Sequence, residues 1–184
     1  MASQLLPQID SLGSASDTVL METLDLLFEP SPAIHSTLLP VLKTGNAFSS
    51  YPDLIEACHA QLLYLAPDSA SAGLDAILLS VVGAHPRLGE KKVESAQSAA
   101  EQASLAGQRE ELAKLNREYE AKYPGLRYVV FVKGRDRREI MQEMRARIDG
   151  SDFAAEVRSA LQAMCDIAKD RASKLATQPR QSHG

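Results

Sequence analysis

The periodic spacing of apolar residues constrains the fold of this chain more than any other feature. Apolar side chains recur every three or four residues through most of its length, which is the period of one face of an α-helix. Prolines and glycines separate the periodic segments, and Ser16 or Asp17 can cap the first of them. The pattern predicts helices over residues 16–28, 32–40, 52–65, 71–82, 94–123, 136–148 and 151–175, with a break at Gly107 left open.

One segment departs from helical spacing. Residues 126–132 form the only β-like run, and an isolated strand cannot build a sheet. We therefore expect an extended connection that is buried between helices. A chain of 184 residues that is 45 % hydrophobic has enough apolar material for the core of one domain. The prediction is an all-α, single-domain multi-helix bundle over residues 1–178, followed by a flexible tail over 179–184.

Composition argues against several classes of function. The formal net charge is −4 and the basic residues are dispersed, whereas nucleic-acid binding needs a concentrated basic surface. No apolar run approaches the roughly 18 residues of a membrane span, and the N-terminus lacks the pattern of a secretory signal. We expect an intracellular protein, peroxisomal or cytoplasmic, although its Ser173-Lys174-Leu175 is internal and reads as helix. Cys58 and Cys165 are predicted to be buried free thiols.

His85 is the most informative single residue. It precedes Pro86, which disfavours helical backbone at the histidine, and it follows the predicted end of a strongly apolar helix. The negative end of the helix dipole there favours a protonated imidazole. A histidine held rigidly at such a position can act as an acid or a base near neutral pH. The alternative is an ordinary histidine in a surface loop.

A second group of polar residues falls on one helix face. Ser98, Glu101 and Gln102 are spaced by three and four residues, so a helix places a hydroxyl, a carboxylate and an amide side by side. Such a face could orient a polar ligand. The alternative is a solvated helix surface.

Arg147 is the third candidate. It follows Ile140 by seven residues, so on an ideal helix it lies on the same apolar face. Because an unpaired buried charge is costly, this arginine must find an anion. Three outcomes remain open: a structural carboxylate, a path to the surface along the side chain, or an acidic substrate.

No metal, phosphate or dinucleotide site is predicted. His35, His59 and His183 are scattered, and none has a carboxylate or cysteine at a spacing typical of zinc. No glycine-rich phosphate loop is present. Both cysteines fall in predicted core positions, which gives little support to a nucleophilic thiol.

Taken together and in order, these motifs resemble the OHCU (2-oxo-4-hydroxy-4-carboxy-5-ureidoimidazoline) decarboxylase family. That family carries His-Pro-x-Leu-Gly, Ser-x-x-Glu-Gln, Leu-Asn-x-x-Tyr, an apolar stretch ending in glycine, and an arginine followed by leucine. The corresponding segments here are 85–89, 98–102, 115–119, 123–134 and 147–148. The early segment keeps Glu29-Pro30-Ser31-Pro32 but lacks the tryptophan and the later Arg-Pro-Phe of the family. These departures leave an altered pocket wall, dimer surface or substrate open.

The resemblance implies an all-α fold, commonly dimeric, that converts OHCU to (S)-allantoin without a cofactor or metal. It implies His85 as acid–base and Arg147 as the partner of the anionic substrate, with Glu101 orienting or polarising either His85 or the substrate. It also implies a set of substrate-binding residues: Pro86, Ser98, Gln102, Val129, Val130, Phe131 and Val132. Two other readings compete with this one: a non-catalytic all-α scaffold, and a related decarboxylase or isomerase for another small acid.

Overall fold

The computed structural model describes residues 5–45, 47–66, 75–89, 96, 97, 99, 109–175 and 177. Seven α-helices and one short 3-10 helix (Ile9–Ser14) have both ends within these residues, which form no sheet; residues 96, 97 and 99 are also helical. The only β pairing among them is a single parallel bridge between Leu6 and Thr177. The helices are α1 (Asp17–Leu27), α2 (Pro32–Leu42), α3 (Tyr51–Tyr64), α4 (Ala76–Gly83), α5 (Arg109–Lys122), α6 (Arg137–Gly150) and α7 (Phe153–Lys174).

Side-chain caps determine where most of these helices begin. Ser16, Ser31 and Ser50 precede α1, α2 and α3, and each side-chain oxygen accepts a hydrogen bond from the backbone N–H three residues later. Aspartates cap α4, α6 and α7: Asp75 and Asp136 accept from the backbone N–H two residues later, and Asp152 from the one three residues later. Each such cap stabilises its helix by about 1 kcal/mol, because it satisfies a backbone donor that has no partner inside the helix.

The long helix α7 organises the core. It packs against α3 and α1, while α2 contacts α1, α3 and α4, and α5 packs on α6. Apolar residues of α7 such as Val157, Leu161 and Met164 are almost completely buried. Burying one large apolar side chain contributes roughly 1.5–3 kcal/mol, so α7 is the largest single source of packing energy among these helices.

The predicted all-α architecture is confirmed, and so is the buried extended segment. Residues 126–132 are neither helix nor strand, and most of their side chains are buried, including Leu126, Tyr128 and Val130. Glycines with positive φ lie at both ends of the segment, Gly125 at +89° and Gly134 at +67°. The segment therefore enters and leaves the core through turns that other residues would adopt only with strain.

Cys58 and Cys165 are buried free thiols, as expected. No helix in the described part of the chain is long and apolar enough to cross a membrane. The predicted helix starts at residues 71 and 94 lie outside the described residues, as do the last seven residues.

Candidate active site

His85 lies in a buried turn directly after α4. Its backbone N–H donates to the carbonyl of Val82 at 3.3 Å, which closes the helix, and Pro86 then directs the chain away. Only 4 % of His85 is exposed. Its carbonyl accepts a hydrogen bond of 2.9 Å from Nη1 of Arg127, which ties this turn to the extended segment. The alternative of an ordinary surface histidine is therefore wrong.

A buried ion pair lies beside the imidazole. Oε1 of Glu29, just after α1, is 4.0 Å from Nδ1 of His85 and 2.8 Å from Nη2 of Arg171, near the end of α7. Arg171 also donates to the carbonyl of Phe28. Glu29 and Arg171 are 3 % and 2 % exposed. Three segments that are distant in sequence thus converge on one histidine.

This environment keeps the imidazole neutral. Burial, and after it the positive charge of Arg171, lower the pKa of His85 to about 3. The expectation that the end of α4 favours a protonated imidazole is wrong, because desolvation outweighs the helix dipole. Nε2 of His85 is buried and has no hydrogen-bond partner among the described residues. A neutral ring with one unengaged nitrogen can accept a proton from a ligand.

A small cavity opens beside the His85 turn. Its volume is about 200 Å³, and its lining includes Arg87, Leu88, Asn116 and Glu120, though not His85 itself. Nδ2 of Asn116 donates to the carbonyl of Leu88 at 3.0 Å, while its Oδ1 is buried without a partner in the described part of the chain. Arg87 pairs with Glu120 at 2.5 Å. The cavity therefore offers both charged and amide groups close to the turn.

Arg147 pairs with a structural carboxylate, that of Glu156. Its guanidinium makes three hydrogen bonds of 2.6–3.1 Å to Glu156, which is 1 % exposed. The hydroxyl of Tyr119 donates to the same carboxylate at 2.7 Å, and the guanidinium lies 4.6 Å above the ring of Tyr128. Burial alone lowers the pKa of Arg147, but the bonds to Glu156 outweigh it and raise the pKa. Of the three outcomes left open for Arg147, the structure shows pairing with a structural carboxylate.

The other predicted site residues divide into two groups. Pro86 is partly buried next to His85, and Val129, Val130 and Val132 are buried with Phe131 partly covered. Arg127 connects their segment to the carbonyl of His85. The second group lies outside the described residues: Ser98, Glu101 and Gln102.

Two residues of this site were missed. Glu29 was noted only as part of a motif, and Arg171 was assigned no role. Arg171 follows the buried Met164 by seven residues, which is the same helical spacing that singled out Arg147. A search for every charged residue on an apolar helix face could therefore have found it. Its pairing with Glu29 could not have been found locally.

One group of side chains could hold a metal ion. Ligand atoms of Glu56, His59 and Cys165 lie within 4.8 Å of one another, which sequence spacing missed because Cys165 comes from α7 and the other two from α3. Lys169 already pairs with the Glu56 carboxylate, and burial followed by the charge of Glu56 raises the pKa of Cys165 to about 11. A protonated thiol and an engaged carboxylate are poor ligands as they stand.

Comparison with known proteins places the chain in a family. A model of the OHCU decarboxylase family matches residues 13–173. The chain is also similar to a crystal structure of (S)-allantoin synthase, with 17 % identity and a TM-score of 0.61. That match covers 91 % of this chain and 54 % of the other, so the chain spans about half the length of that protein. At this identity the likeness shows the fold. No curated protein matches. Because the family match extends over most of its length, the chain belongs to the OHCU decarboxylase family.

Proposed function

We propose that this protein decarboxylates OHCU to (S)-allantoin in urate degradation, with His85 as the acid–base. The observation that carries the proposal is a buried, neutral His85 whose Nε2 has no partner among the described residues. Burying an unsatisfied polar atom is unfavourable, so a ligand group that completes it is the simplest explanation. Family membership indicates which ligand this is.

The chemistry needs no cofactor, because the substrate can hold the electrons released. Nε2 takes the proton of the ring hydroxyl, and the bond to the carboxylate carbon breaks as carbon dioxide leaves. The electron pair passes into the neighbouring imine, whose nitrogen takes one proton from solvent, while the deprotonated oxygen becomes a carbonyl. His85 then returns its proton to the adjacent ring carbon. One proton is consumed overall, and the histidine ends neutral. Acid–base help of this kind typically accelerates a reaction by about 10²–10⁴-fold.

The remaining roles in the proposal concern orientation. Glu101 polarises His85 or the substrate, and Ser98 and Gln102 hydrogen-bond the ureido and ring groups. Pro86 and the backbone of residues 129–132 contact the ring. The support for this segment is its burial and its connection to His85 through Arg127.

The partner of the anionic substrate is an arginine. Arg147 can take this role only by exchanging its bonds to Glu156 for bonds to the substrate. Arg171 is a second candidate, and the geometry favours it because it pairs with Glu29, whose Oε1 is 4.0 Å from Nδ1 of His85. Replacing Arg171 with lysine therefore tests the assignment through the KM for OHCU, which we expect to rise.

The decisive experiment follows allantoin formation from freshly generated OHCU by circular dichroism. Urate and the two preceding enzymes supply the substrate, and wild type is compared with His85→Ala and His85→Gln. We expect wild type to form one enantiomer quickly and both folded variants to do no better than spontaneous decay. A wild-type protein that does not exceed spontaneous decay would overturn the proposed function.

A related decarboxylase for another small acid is the second candidate. The chain contains no tryptophan and lacks the Arg-Pro-Phe of the family, and in this alternative that departure alters the pocket wall or the dimer surface. Turnover of other small ureido or α-hydroxy acids, with no turnover of OHCU, would favour this alternative. A scaffold without catalytic activity would show turnover of neither.

We further propose that the protein acts as an intracellular homodimer, peroxisomal or cytoplasmic. The family resemblance suggests the dimer, and apolar side chains that are unusually exposed support it. These are Leu63 at 38 %, Tyr64 at 85 % and Ile77 at 47 % exposure. Sedimentation analysis should give twice the mass of one chain, and a monomeric mass at assay concentrations would contradict this part of the proposal.

A further inference from the structure

We propose that Glu29 is a positioning residue that holds His85 in the tautomer with the proton on Nδ1, leaving Nε2 as the base. This inference deepens the proposed function and rests on it for the catalytic consequence. Its structural part depends only on the geometry around the ring. Glu29 is not among the residues that line the cavity, and its effect is exerted through His85.

The two ring nitrogens meet different surroundings. Nδ1 faces Oε1 of Glu29 at 4.0 Å, which is close enough to become a hydrogen bond after a small movement on substrate binding. A carboxylate only accepts hydrogen bonds, so it selects a proton on Nδ1. Nε2 is buried with no acceptor among the described residues. A proton placed there would be an unsatisfied buried donor, which disfavours that tautomer by roughly tenfold or more.

Arg171 explains why the carboxylate of Glu29 does not keep the imidazole protonated. An isolated buried carboxylate next to a histidine would favour the imidazolium. Here Nη2 of Arg171 is 2.8 Å from the same Oε1, so the pair is neutral as a whole while the oxygen still accepts hydrogen bonds. The arginine also donates to the carbonyl of Phe28, which fixes it at the end of α1. Nη1 of Arg127 donates to the backbone carbonyl of His85.

The catalytic consequence follows from the proton path. A histidine that starts with a free Nε2 can take the hydroxyl proton of the substrate without first losing one of its own. The imidazolium formed in that step can donate its Nδ1 proton to the carboxylate of Glu29 in a hydrogen bond. With the opposite tautomer, Nε2 would present a proton to the hydroxyl, and the first step would be blocked.

The test is nitrogen NMR of the uniformly labelled, full-length protein, because the chemical shifts of the two ring nitrogens identify the tautomer. His85 is assigned among the four histidines by the loss of its signals in His85→Gln. We expect wild type to carry the proton on Nδ1. In Glu29→Gln, the amide can still accept from Arg171 and donate to Nδ1, so the proton should move to Nε2. For OHCU turnover, kcat should fall by about 10–100-fold with little change in KM.

Glu156→Gln is the matched control for this substitution. It makes the same chemical change in another buried carboxylate that is paired with an arginine, Arg147; the hydrogen bonds of Glu156 run to Tyr119 and Arg147. Its spectrum should retain the wild-type tautomer of His85. In Glu29→Asp a carboxylate is kept, so the Nδ1 proton and part of the lost kcat should be restored relative to Glu29→Gln.

Failure of this inference is distinguishable from failure of the proposed function. A wild-type proton on Nε2, or an unchanged tautomer in folded Glu29→Gln, overturns the positioning role even if OHCU is turned over. If Glu29→Gln does not fold, the wild-type spectrum still tests the inference: a proton on Nδ1 supports it and a proton on Nε2 overturns it. If the tautomer moves as expected but wild type does not decarboxylate OHCU, the positioning role stands and the substrate assignment is wrong.

Discussion

Because His85 is buried and neutral, it makes the free energy of unfolding of this protein decrease as the pH is lowered. The substitution His85→Gln should remove this contribution. The folded-state pKa of about 3 lies below the ordinary value of about 6.5 that the unfolded chain has. Between these values the unfolded state binds a proton that the folded state does not, so stability falls as the pH decreases. At pH 5 proton binding favours the unfolded state by about thirtyfold, which corresponds to about 2 kcal/mol relative to pH 8.

Urea denaturation at pH 8 and pH 5 measures this effect in wild type and His85→Gln. Carboxylates with low pKa values also lose stability in acid, but they are common to both proteins. We therefore expect wild type to lose about 2 kcal/mol more than the variant between the two pH values, whatever the stability of the variant at pH 8. Equal losses in the two proteins would refute the argument, because they would show that His85 titrates alike in the folded and unfolded states.

The remaining predictions concern stability. Arg147→Met should lower the free energy of unfolding by about 3 kcal/mol, because it leaves the buried carboxylate of Glu156 without its guanidinium; a neutral effect in urea denaturation would argue against a structural role. Gly125→Ala should cost more than Gly134→Ala in thermal unfolding. Both glycines have positive φ, but only at Gly125 would the new Cβ lie 2.7 Å from Leu79. Equal melting temperatures would mean that the contact relaxes freely.

Local signals account for the part of the fold that could be predicted. Apolar periodicity and capping residues act within a few positions, so α1, α2 and α7 begin where Ser16, Ser31 and Asp152 place them. The extended segment before Gly134 was also predictable, because a short β-like run that has no second strand to pair with cannot form a sheet. The packing of α7 against α3 and α1 depends on contacts between residues that are distant in sequence, so local signals do not predict it.

The candidate site was predictable only where its chemistry is local. His85 and Pro86 stand out because a proline controls the backbone of the residue before it. The protonation state of His85 was predicted wrongly, because the helix dipole is visible in the sequence and desolvation by distant segments is not. Glu29 and Arg171 are 142 residues apart, and only the packing of α7 beside the end of α1 brings their side chains together.

Arg147 and Arg171 show most clearly what helical periodicity cannot predict. Each lies on an apolar helix face and each is paired with a buried glutamate, so periodicity treats them alike. Glu156 is nine residues from Arg147 and is also bonded by Tyr119, which makes that pair a local brace between α6, α7 and α5. Glu29 instead has His85 within 4.0 Å. The two arginine–glutamate pairs therefore differ in the additional side chain that each carboxylate faces, which is Tyr119 for the structural pair and His85 for the pair at the site. The tertiary fold alone determines which side chain that is.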